Sequence, residues 1–118
     1  MRAVVRYFHS PDILDLAAYQ PEDPDSFGFL LQVLAGPDDG PGEESFDVVV
    51  GSPRWLVDQL RDDGMRWGYH HLLTHRYDWE RIERFVRDHF EAVEGDTWRE
   101  VAEQLGRLGR WEFEDYTL

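Results

Sequence analysis

The sequence predicts an α+β domain: an antiparallel sheet of about five strands with three helices, in the order βββαβααβ. Two periodicities and the chain length predict it. Phe27, Phe29, Leu31 and Val33 alternate with their neighbours, as do Trp111 and Phe113, which is the two-residue period of a strand. Trp79, Ile82, Phe85, Val86, Phe90 and Val93 recur instead at helical spacing. The 118 residues, 42% hydrophobic and 14% aromatic, suit one domain over residues 1–118 with a real core.

Taken in order, Arg2 to His9 reads as a first strand, stopped by Ser10-Pro11-Asp12. A turn of helix is expected around Asp12 to Tyr19, before Pro21 and Pro24 forbid regular structure. Ser26 to Ala35 is a second strand with apolar side chains on both faces, the pattern of a covered central strand. Gly36 to Gly42, rich in Gly, Pro and Asp, connects it to a third strand over Phe46 to Val50, completing an antiparallel meander.

Ser52-Pro53 starts a helix, with Ser as N-cap and Pro at the first helical position. Trp55, Leu56 and Leu60 form its expected buried face, and Gly64 ends it. Met65 to Tyr77 alternates again, placing Trp67, Tyr69, His71, Leu73, His75 and Tyr77 on one face of a fourth strand. Asp78 caps the next helix, which Gly95 closes. Asp96 caps a third helix, carrying Trp98, Val101, Ala102, Leu105 and Leu108. Trp111 to Tyr116 is the last strand, with Trp111 and Phe113 pointing inward and Glu112 and Glu114 outward. Trp55, Trp79, Trp98 and Trp111 are read as core.

The chain carries 25 acidic residues against 12 basic, a net charge of −13. That balance opposes sequence-independent nucleic-acid binding and adsorption to anionic membranes, and it favours a basic protein partner. With no cysteine, disulfides, thiolate nucleophiles and cysteine-based zinc sites are excluded. No secretory signal or membrane span is visible, so a cytoplasmic protein is expected.

Motifs of catalysis are scarce. His71 and His75 lie four apart on the expected strand, ~13 Å along it, whereas two ligands of one ion lie ~3 Å apart. The sequence therefore supports neither a catalytic residue nor a metal or cofactor. A small hydrolase or metal-dependent enzyme built on His70, His71 and His75 is the alternative from the enzyme class. A structural or adaptor domain is a further one. Ser10 lacks the glycine-flanked elbow of a nucleophile, and Gly36 to Gly42 lacks the lysine of a phosphate-binding loop.

The charge distribution is more telling. From Tyr7 to Pro53 there is no basic residue, while Asp12, Asp15, Glu22, Asp23, Asp25, Asp38, Asp39, Glu43, Glu44 and Asp47 contribute ten negative charges. Asp38, Asp39, Glu43 and Glu44 are the expected contact or steering residues for a basic partner, with Trp67 or Tyr116 as aromatic anchor.

An ordered set of segments resembles the immunity protein 8 family of bacterial polymorphic toxin systems. The set begins with His9-Ser10-Pro11-Asp12 and Pro21-Glu22-Asp23-Pro24, followed by Phe27 and Phe29. It continues through Gly42-Glu43-Glu44-Ser45-Phe46, Ser52-Pro53-Arg54-Trp55-Leu56 and Tyr77-Asp78. Glu94-Gly95-Asp96-Thr97-Trp98, Glu100-Val101-Ala102 and the stretch from Gly109 to Tyr116 complete it. The resemblance implies a small cytosolic α+β protein, encoded beside a toxin, that binds and neutralises its cognate toxin domain. It implies no catalytic residues.

Overall fold

The computed structural model describes residues 1–114. Its elements run β1 (Ala3–His9), β2 (Gly28–Pro37), β3 (Glu44–Gly51), α1 (Pro53–Asp63), β4 (His71–Leu73), α2 (Trp79–Glu91), α3 (Trp98–Leu105) and β5 (Arg110–Trp111). The class and the element order are those expected. The sheet is mixed, however, and not purely antiparallel: β1, β2 and β3 form the meander, but β4 lies parallel to β3. A helix between β3 and β4 imposes this, because a crossover returns the chain to the end from which it left. β3 carries β2 on one side. Its other side is shared, β5 pairing antiparallel at Phe46 and Asp47, and β4 at Val49 to Gly51.

One face of the sheet is the core. Phe29, Leu31, Val33 and Ala35 of β2 and Phe46, Val48 and Val50 of β3 are buried there, under Ile82, Val86 and Phe90 of α2 and Val101, Ala102 and Leu105 of α3. Phe46 is its centre, edge-on to Phe90 at 5.8 Å and stacked on Trp111 at 6.5 Å. Phe85 does not join it. At 100° per residue it sits about 100° from the middle of the Ile82–Val86–Phe90 stripe, and it is 50% exposed.

The helix starts follow the capping rules. Ser52 Oγ accepts the Trp55 N–H, and Asp78 accepts that of Arg81. The cap of α3 is Thr97 and not Asp96: its hydroxyl takes the Glu100 N–H, while the Glu100 carboxylate reaches back to the Asp96 N–H. Helix α1 buries no residue completely. Trp55 therefore belongs to no core; its indole lies on Gly28 and Gly51, where a Cβ would stand 2.1 Å and 2.6 Å from it.

Three further expectations are corrected. Asp12 to Tyr19 forms turns without a helix. The fourth strand spans three residues where thirteen alternate in sequence, because His70 at φ 62 breaks extended backbone just before it. The last strand stops at Trp111, and its expected end, including Tyr116, lies outside the described residues.

Candidate protein-binding surface

The β2–β3 connection is tied to β1 and the residue before it by hydrogen bonds. Arg6 sits at a bulge in β1, and its guanidinium donates to the carbonyls of Pro37 (2.7 Å), Gly40 (2.6 Å) and Gly42 (3.4 Å). Asp38 and Arg2 exchange bonds, the Asp38 N–H to the Arg2 carbonyl (2.9 Å) and the Arg2 N–H to the Asp38 carboxylate (3.0 Å). Asp39 and Glu43 are exposed at the tip. Glu44 has a different place: it opens β3 on the core face and accepts the indole N–H of Trp98. Its carboxylate is a structural acceptor.

The interval without basic residues is therefore not free of cations in space. Arg2 and Arg6 enter the hairpin from β1, and Arg76 pairs with Asp25 at 3.3 Å. Folding nevertheless gathers more acid at this end than the local sequence shows. The main chain of Arg2 bridges to Glu94, the Gly95 N–H binds the Met1 carbonyl, and the Ser45 N–H binds the Glu112 carboxylate. Glu94, Asp96, Glu100 and Glu112 thus join Asp38, Asp39 and Glu43 at one pole. No signal within any one segment announces this, since the residues come from three stretches of chain.

Trp67 is 79% exposed, and its ring lies 6.1 Å from that of Tyr69, itself 61% exposed. With Leu73 and Phe85 also about half exposed, large apolar side chains follow the β4 side of the sheet. Isolated exposed apolar residues are ordinary; here one stands on β4, two on the segment leading into it and one on α2. Between β4 and the start of α2 opens a cleft with a volume of about 830 Å³, lined by Leu73, His75, Arg76, Tyr77, Arg81 and Phe85. Burial pushes the Tyr77 hydroxyl up to about 12, with smaller contributions from Tyr19 and Asp15, and that hydroxyl donates to the Leu16 carbonyl.

The histidines do not converge. His70 Nε2 meets the Gly106 carbonyl at 2.6 Å, and His71 Nδ1 meets that of Tyr69 at 2.8 Å. A carbonyl only accepts, so each ring donates through that nitrogen. His75 is exposed. Among the described residues no three His, Cys, Asp or Glu side chains are grouped to hold a metal ion, and no helix is long and apolar enough to cross a membrane.

The arrangement presents an acidic pole and an apolar strand edge, both suited to contact with a protein. A family model described as Immunity protein 8 matches residues 3–116 of the chain. No curated protein and no solved structure matches it.

Proposed function

Because the chain belongs to the Immunity protein 8 family, we propose that it binds and neutralises a cognate toxin by stoichiometric association, without catalysis of its own. The observation that carries this is the match across residues 3–116, nearly the whole chain. The surface supports it: it offers exposed aromatic side chains of the kind that anchor interfaces, and, separately, a strongly acidic pole. A net charge of −13 favours a toxin with a basic surface, a nuclease being one such enzyme, encountered in the cytoplasm.

On this reading Asp38, Asp39 and Glu43 steer the toxin's approach, and Trp67 contributes an anchor. Glu44 is set aside because it holds Trp98, and Tyr116 remains a sequence-based proposal. The test is co-expression with the C-terminal domain of the neighbouring toxin gene's product. Growth is restored and the two proteins co-purify at one to one; continued toxicity with no complex refutes the reading.

A further inference from the structure

The β1 and β4 edges of the sheet, seven and three residues long, are treated differently. On the first half of the β1 edge, at Ala3 and Val5, outward main-chain groups are occupied. The Ala3 N–H donates to the Val93 carbonyl (3.0 Å), the Val5 N–H to the Glu91 carboxylate (2.9 Å), and Arg87 donates to the Val5 carbonyl (3.1 Å). Among the described residues the β4 edge has no such cover. Val49 donates to the His70 carbonyl (2.9 Å) and Thr74 donates to the Gly51 carbonyl (3.0 Å), so these two residues turn their main-chain groups toward β3. Groups along a strand alternate in direction, so those of His71 and Leu73 point away from the sheet. No strand lies beyond β4 among the described residues.

An open edge is a template for another strand, and native sheets normally blunt it. Here its surroundings suit a visitor. Leu73 (47% exposed) and Phe85 (50% exposed) stand on the cleft beside it, and Tyr69 and Trp67 stand just before it. The charge beside the edge is balanced, Arg76 and Arg81 standing against Asp25 and Asp78, in a molecule whose net charge is −13. The Asp25 carboxylate pairs with Arg76, and the Asp78 carboxylate caps α2. Arg81 and His75 have no acidic partner among the described residues.

We propose that the free edge of β4 receives an extended segment of the toxin as an additional strand. An apolar side chain of that segment enters the Leu73–Phe85 cleft, and a carboxylate lies beside Arg81 and His75. The inference rests on the toxin-binding reading and deepens it, by assigning the surface, the mode of contact and the local chemistry of the segment. Main-chain bonds to His71 and Leu73 supply affinity, and the cleft selects the side chain. The segment's acidity is local, and is compatible with a basic surface elsewhere on the toxin facing the acidic pole.

The experiment is amide hydrogen exchange on the wild-type protein, free and with the neighbouring gene's toxin domain, alongside binding of two variants. Protection of the His71 and Leu73 amides only in the complex is expected. Leu73→Pro deletes an outward N–H that β3 does not use, and should weaken binding about tenfold, as should Arg81→Glu. If the complex forms but these amides stay unprotected and Arg81→Glu binds like wild type, strand addition is overturned while toxin binding stands. If the amides are already protected in the free protein in a concentration-dependent way, a second copy covers the edge and the proposal fails. If the wild-type protein forms no complex, the toxin-binding reading itself has failed.

Discussion

Phe85 and Phe90 lie on one helix, five residues apart, and should respond very differently to truncation. Phe90 is 2% exposed and packs edge-on against Phe46 at 5.8 Å. Removing a buried phenyl ring takes roughly 130 Å² of apolar surface out of the core, worth about 3 kcal/mol, and the lost aromatic pair adds about 1 kcal/mol. Phe90→Ala should therefore cost about 4 kcal/mol, within the usual range for such cavities. Phe85 is half exposed, with its ring 4.2 Å from that of His89, and its truncation opens to solvent without leaving a cavity. About 1.5 kcal/mol is the corresponding ceiling. With a urea slope of ~2 kcal/mol/M, the midpoint falls by about 2 M for Phe90→Ala and by less than about 0.8 M for Phe85→Ala, at unchanged slope. Equal shifts would mean that α2 is rotated from the position described, and the cleft beside β4 would lose its wall.

Four further outcomes are expected. Leu105→Ala, at a fully buried position on α3, should lose roughly 2–5 kcal/mol in the same urea assay. The Tyr77 hydroxyl is raised above its unfolded value of 10.0 to about 12, so its contribution to stability is present below pH 10 and is lost as pH rises toward 12; Tyr77→Phe should flatten that alkaline limb in pH-dependent unfolding while losing about 1 kcal/mol at pH 7. Gly28→Ala should displace the Trp55 indole, seen as a shift in tryptophan emission that Trp55→Phe abolishes. Converting Asp38, Asp39 and Glu43 to amides should slow toxin association at ~50 mM salt and much less at ~1 M salt, and an unchanged rate at the lower salt would leave the pole as a solvating surface.

Features governed by neighbours in sequence were legible; features made by distant neighbours were not. Ser52-Pro53 and Asp78 announce helices because a cap acts within three residues. The alternation of Phe29, Leu31 and Val33 announces a strand because every second side chain meets the same core. Met65 to Tyr77 alternates equally well, yet Met65, Trp67 and Tyr69 are exposed and only His71–Leu73 pairs. Pattern alone does not say whether a second strand is there to pair with. The parallel direction of β4 follows from the crossover through α1, which no residue of β4 encodes. Asp39, Glu43 and Trp67 are exposed where the sequence placed them, whereas the role of Glu44 depends on Trp98, 54 residues away.

The Arg87–Glu91 clamp on β1 has a consequence for assembly. A sheet with two bare edges can add copies of itself without limit, each new copy presenting the edge that the last one covered. Occupying the groups of Ala3 and Val5 from within the chain blunts the first half of one of those two. Among the described residues the β4 edge has no such block, so the two edges are unequal as sites for pairing. A complex made through β4 leaves the blunted β1 edge outermost, which opposes further growth by edge pairing whether the strand that arrives is the toxin's or another copy's.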